Sequence, residues 1–273
     1  MLIRGNGGCS ETTSGARMTD SLLDLSGQHV FVAGGSRGIG RATAYLAARA
    51  GANVTVNYVS NREAAQETVS QVERLGRRAF AVQADISEDG QADRAVQEAV
   101  GALGALTGLV VSAGVFEPSP IGEMTTAFWD RQMNLNVRGT FLSVRAVVPH
   151  LRDGGQGGSI VIYTSTAGQR GSSVYSAYAT TKGAQIMFMR SMAKELAPDR
   201  VRVNCVAPGW TQTDMSRDAM EAEGIEGIRQ SIPLGRIGQP EDPAGAAVFL
   251  LSPLASFITG STITVDGGFD MRG

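Results

Sequence analysis

From Gln28 onward, short apolar runs alternate with amphipathic segments of helical period. No other feature of the chain restricts its fold so strongly. His29–Ala33, Asn53–Asn57, Arg78–Val82, Gly108–Ser112, Ser159–Thr164, Val201–Val206 and Ser261–Val265 read as strands. Between them Arg41–Ala50, Glu63–Leu75, Ala92–Leu103, Phe128–Leu151, Tyr175–Leu196 and Asp242–Leu251 read as helices. Such strand–helix–strand units close with one hand and give a parallel sheet. The strands are continuously apolar, as expected where helices cover both faces. The reading is α/β: one doubly wound, seven-stranded parallel sheet with helices on both faces. A ligand is expected at the carboxyl ends of its strands.

Composition removes other classes. Lys plus Arg number 24 and Asp plus Glu 26, a net charge of -2. That balance provides no field to attract nucleic acid or an anionic membrane. Two Cys and two His exclude a disulfide scaffold and argue against a zinc site, so no metal is expected. No stretch approaches the ~18 apolar residues of a membrane span. The first residues carry no signal-peptide pattern, and a cytoplasmic protein is expected. Residues 1–17 are rich in Gly, Ser and Thr without apolar period. They read as a disordered extension before Met18, leaving 18–273 as a single domain.

The first strand runs into Gly34-Gly35-Ser36-Arg37-Gly38-Ile39-Gly40, and a helix follows. Glycines there permit a sharp turn and close approach to a diphosphate, while the helix start offers N–H groups and partial positive charge. The spacing Gly34-x3-Gly38-x-Gly40 differs from the G-x-G-x-x-G of other dinucleotide folds, but its place after the first strand leads to the expectation of a dinucleotide-binding (Rossmann) arrangement. An acidic residue ending the second strand would hold a free ribose 2′-hydroxyl and repel a 2′-phosphate. This chain has Asn57-Tyr58 there, with Arg37 and Arg62 nearby. The expectation is NADP(H) in preference to NAD(H).

Tyr178 and Lys182 are four residues apart at the start of a long helix, on one face. An ammonium beside a phenol is expected to lower the phenol's pKa toward the operating pH. Ser165 ends the fifth strand, 13 residues before Tyr178. Together with Pro208-Gly209 and Val265-Asp-Gly-Gly268, these residues resemble the short-chain dehydrogenase/reductase family, from about Leu23 to Phe269. Within it, the 3-oxoacyl-carrier-protein reductase and glucose dehydrogenase-like group is the most similar. The resemblance implies that Tyr178 exchanges a proton with the substrate oxygen and Ser165 hydrogen-bonds that oxygen. It implies that Lys182 holds the nicotinamide ribose, and that Asn136 holds a water leading to Lys182. Asp85-Ile86 would meet the adenine, Ala113-Gly114 would end a cofactor-side turn, and Pro208–Thr213, with Gly209 and Thr211, would surround the carboxamide. It also implies a homotetramer built on the long helices, with Ala177, Ala184, Met187 and Met192 as contact candidates.

Two departures stand out. Ala33 and Ser112 replace the family's Thr and Asn, which predicts softer packing around the loops. Val115, Phe116, Gln169, Tyr175, Trp210 and Met215 are pocket-wall candidates, and Thr211–Pro233 reads as a lid with few strong elements. The leading expectation is an NADPH-dependent reductase of a ketone, such as a 3-oxoacyl thioester. The alternatives are a sugar or secondary-alcohol dehydrogenase and a non-catalytic dinucleotide sensor. The intact Ser165, Tyr178 and Lys182 weigh against a sensor.

Overall fold

The computed structural model describes residues 23–153 and 157–271. The extension expected over residues 1–17 lies outside them. Seven strands form one parallel sheet: β1 His29–Ala33, β2 Asn53–Tyr58, β3 Ala79–Gln83, β4 Gly108–Val111, β5 Gly158–Tyr163, β6 Val201–Pro208 and β7 Thr262–Val265. Their order is β3-β2-β1-β4-β5-β6-β7, the expected doubly wound sheet. The ten α-helices of the described residues are α1 Gly38–Arg49, α2 Arg62–Glu73, α3 Gln91–Leu103, α4 Thr126–Gln132, α5 Gly139–Asp153, α6 Ala167–Arg170, α7 Ser176–Leu196, α8 Arg217–Glu223, α9 Ile225–Ser231 and α10 Glu241–Leu251.

Alternate strand residues feed two cores. Phe31, Leu109, Ile160, Ile162 and Val203 point to α3, α5 and α7. Val30, Val32, Val110, Val161 and Val206 point to α1, α2 and α10. Leu25 is buried and its N–H bonds the Ala50 carbonyl, anchoring the chain before β1. The order reverses between β1 and β4, where Ala33 is level with Val111. The carboxyl ends of these strands open the crevice in which such sheets bind ligands.

The structure corrects two expected elements. Phe128–Leu151 is not one regular helix. A π turn, Met133–Arg138, separates α4 from α5. Its extra residue per turn carries Asn136 to the buried side, while Asn134 stays exposed. Thr211–Pro233 is also more ordered than its sequence suggests. It contains α8 and α9, which share a small core of Met220, Ile228 and Ile232 packed on Trp210. Gly238 N–H to Trp210 O and Gln212 N–H to Gly238 O pin the segment's base.

Candidate active site

The sheet's carboxyl edge carries a cleft of about 460 Å³. One end is the glycine loop. Gly34 and Gly38 adopt left-handed φ of 75° and 55°. α1 starts at Gly38 with no side-chain cap, so its first N–H groups remain available to an anion. Gly40 serves packing: a Cβ there would stand 2.1 Å from the Gly34 carbonyl oxygen. Gly34, Ser36, Arg37, Gly38 and Ile39 line the cleft, whereas Gly40 lies beneath it.

Asn57 does more than its sequence position suggests. Its buried Oδ1 accepts from Gly34 N–H at 3.4 Å, and its Nδ2 donates to Ala84 O at 2.9 Å. It ties the glycine loop to the end of β3. The softer packing expected from Ala33 is therefore offset by a brace from β2. Tyr58 and Ile86 line the cleft. Asp85 lies outside that lining, and its Oδ1 accepts from the Ser87 N–H and hydroxyl at 3.0 and 2.7 Å. Arg37 is exposed on the rim and forms no ion pair among the described residues. Arg62 does not line this cleft.

The cleft floor brings Ser165, Tyr178 and Lys182 together. The Ser165 hydroxyl, which accepts from Ala167 N–H at 3.1 Å, stands beside the Tyr178 phenol. Lys182 Nζ donates to the Tyr163 carbonyl at 2.8 Å and stands 5.6 Å from the centre of the Tyr178 ring. The phenol pKa is opposite to expectation. Burial pushes Tyr178 up to about 12, only partly countered by the neighbouring Ser165 hydroxyl. Lys182 faces a carbonyl and the ring rather than the phenol oxygen, and burial brings it down to about 8. At neutral pH the pair is therefore a phenol beside an ammonium. Tyr178 is half-buried, reachable from the cleft.

Asn136 is fully buried. Its Oδ1 accepts from Val115 N–H at 2.8 Å, and its Nδ2 donates to Val115 O and Thr181 Oγ1, both at 3.0 Å. Its backbone carbonyl accepts from Gln185 Nε2 at 2.8 Å and from Thr140 Oγ1 at 2.7 Å. Asn136 thus clamps the loop after β4 to α7. Thr181 and Gln185 escape a reading by motif, although their spacing from Lys182 on α7 is the signal that places them. Gly114 allows this approach, since a Cβ there would lie 2.7 Å from Asn136 Oδ1.

Ala113, Gly114, Pro208, Gly209, Thr211 and Thr213 line the cleft, as do Val115, Phe116, Trp210 and Met215. Gln169 does not; its Nε2 donates to Thr264 Oγ1 at 3.3 Å. Tyr175 does not line it either, but stacks behind Phe116 at 4.4 Å.

A family model described as Enoyl-(Acyl carrier protein) reductase matches residues 33–270. The chain is a short-chain dehydrogenase/reductase. It is 38% identical over 251 residues to a 3-oxoacyl-[acyl-carrier-protein] reductase of Synechocystis sp., covering 92% of this chain and 100% of that relative. It is 36% identical over 245 residues to the L-rhamnose 1-dehydrogenase (NAD(P)(+)) of a Sphingomonas species, covering 89% and 96%. A solved structure of 7α-hydroxysteroid dehydrogenase, complexed with NADH and 7-oxo glycochenodeoxycholic acid, superposes with a TM-score of 0.86 at 36% identity. It covers 90% of this chain and 95% of that one. This short-chain dehydrogenase/reductase is an NAD(P)-dependent oxidoreductase of CH–OH and C=O groups. No helix among its described residues is long and apolar enough to cross a membrane.

Proposed function

We propose that this enzyme reduces a ketone to a secondary alcohol with NADPH, and that Tyr178 delivers the proton. The observation that carries the reading is that Ser165, Tyr178 and Lys182 share the floor of a cleft whose other end is the glycine loop. NADP(H) fits the residues present. The uncapped start of α1 and the glycine at the left-handed position 38 suit a diphosphate. Gly34, Ser36, Arg37, Gly38 and Ile39 would hold the phosphates, with Arg37 on the 2′-phosphate beside Asn57 and Tyr58. Ile86 would face the adenine, Lys182 and Tyr178 the nicotinamide ribose, and Ala113, Gly114 and Pro208–Thr213 the nicotinamide end. When bound, the cofactor supplies the hydride.

The chain's own groups handle the proton. A phenol held at about 12 stays protonated across the physiological range, so Tyr178 is ready to donate to a carbonyl oxygen. Ser165 lies where its hydroxyl can bond the same oxygen and fix its direction. As the proton leaves, negative charge grows on the phenol oxygen. The Lys182 ammonium, buried nearby, stabilises that charge. Asn136 keeps the Val115 backbone and α7 in register for this transfer.

Oxidation of a sugar or alcohol uses the same groups in reverse, and the L-rhamnose 1-dehydrogenase relative favours that second reading. The apolar and aromatic wall formed by Val115, Phe116 and Trp210 weighs toward ketone reduction. A homotetramer accords with Met187 and Phe141, which are 52% and 43% exposed on α7 and α5. Ala177 and Met192 pack within the chain instead. Ketones, 3-oxoacyl thioesters and sugars assayed with each cofactor test the proposal. We expect ketone reduction with NADPH favoured over NADH by about tenfold, and Arg37→Ala to remove most of that preference. An NADH preference, or turnover of sugars alone, would contradict it.

A further inference from the structure

We infer that the substrate carries a planar unsaturated ring beside its carbonyl, and that Phe116 selects it. For its chemistry this rests on the reductase reading above; for binding it stands alone.

The argument begins with Val174, a β-branched residue at φ 54°, in the left-handed region. Such strain persists only where the surroundings impose it, and it concentrates at functional sites. Two contacts impose it here. The Val174 carbonyl accepts from Ser119 N–H at 2.7 Å. The next residue, Tyr175, is buried and stacks on Phe116 with ring centres 4.4 Å apart and planes 12° from parallel. Ser119 and Phe116 belong to one loop after β4. Val174 and Tyr175 precede α7. One backbone bond and one ring stack therefore lock the two loops together.

The locked ring stands beside the chemistry. Phe116 meets Tyr178 edge-on at 4.7 Å, and Trp210 stands 6.3 Å from it at 75°. Phe116, Tyr178 and Trp210 line one cleft, so a carbonyl that reaches the Tyr178 hydroxyl has Phe116 as a neighbour for its substituents, with the Trp210 indole nearby. Two nearby charges are engaged elsewhere. Glu117 pairs with Arg131, and Arg170 lies over the Phe269 ring, 4.8 Å from its centre. A sugar would lose water from its hydroxyls against the Phe116 and Trp210 rings, which offer them no acceptor. A saturated chain or puckered ring gains burial but not the offset or edge contacts open to a flat π face. Phe116 is thus a specificity-determining residue, and Tyr175 and Val174 are its positioning residues.

The test compares acetophenone with cyclohexyl methyl ketone. Both have the same carbon skeleton count and differ in the planarity of the ring. Binding of each to the enzyme–NADP⁺ complex is measured by calorimetry, where no hydride is available for turnover. kcat/KM is measured separately with NADPH. We expect acetophenone to be preferred by about tenfold in both measurements. Phe116→Ala should bring the ratio to near one, and Phe116→Tyr should retain it. A merely structural role for Phe116 would weaken both ketones by the same factor. An equal response to the two ketones in the native enzyme, an absence of binding by either, or a ratio untouched by Phe116→Ala would overturn the inference. Should neither ketone turn over while calorimetry still gives the Phe116-dependent preference, the reductase reading fails and the inference stands.

Discussion

The two ends of the cleft are built on different principles. At the cofactor end, glycines permit close backbone contacts, and the buried side chain of Asn57 braces the loop from β2. The sheet edge dictates the shape, and little room remains for variation. At the substrate end, three irregular segments meet: the loop after β4, the turn before α7 and the α8–α9 segment. They meet through rings, one strained residue and a few backbone bonds. The last segment adds exposed apolar residues such as Met215 and Ile225. The contrast teaches that the first end is adapted to a constant ligand, while the second can change partner by exchanging a few side chains.

The largest effect expected from breaking this contrast is at Gly40. A methyl group there would collide with the Gly34 backbone, which cannot rotate away. Gly40→Ala should weaken NADPH binding by about 100-fold or more, a loss near 2.7 kcal/mol, measured by titration of cofactor fluorescence. Native-like binding would show that the loop is softer than described.

At the other end a substitution should help. Val174→Gly removes the left-handed strain, which costs about 1–3 kcal/mol, against a glycine entropy penalty of about 0.5–1 kcal/mol. The net expectation is a gain of about 1 kcal/mol in unfolding free energy, read from denaturant melts. A loss of stability would mean that Val174 contributes packing that outweighs its backbone strain.

A smaller effect belongs to His29 at the start of β1. Burial holds its pKa below 6.5; its ring bonds Gly104 O and Thr55 Oγ1, both at 2.9 Å. The unfolded chain therefore binds this proton more readily. The contribution of His29 is fully present above about pH 6.5 and is lost as pH falls toward the folded pKa. Thermal melts should decline across that window, and His29→Gln should flatten part of the decline. An unchanged slope in the variant would assign acid sensitivity elsewhere.

Much of this was legible in the chain itself, for identifiable reasons. Buried parallel strands must be apolar, so all seven could be located within a residue or two, although β6 runs to Pro208. Tyr178 and Lys182 share a helix face by spacing alone. The π turn was not legible, because no residue pattern around Asn136 marks an i→i+5 bond. Nor were α8 and α9, whose seven-residue lengths carry only Met220 and Ile228 as buried anchors. The direction of the Tyr178 shift was misjudged because adjacency to Lys182 was visible, whereas burial and the aim of Nζ at the Tyr163 carbonyl depend on tertiary packing. The strain at Val174 and the Phe116–Tyr175 stack depend on two loops more than 50 residues apart, as the Ser119–Val174 bond illustrates.

The central claim is that Tyr178 hands a proton to the substrate oxygen. Tyr178→Phe deletes the phenol oxygen and leaves the ring against Phe116. NADPH affinity, measured by titration, and ketone reduction, measured in single turnovers, together isolate the proton step. We predict unchanged cofactor binding and a reduction rate lower by about 10²–10⁴-fold. A variant that binds NADPH and reduces ketones at the native rate would contradict the account.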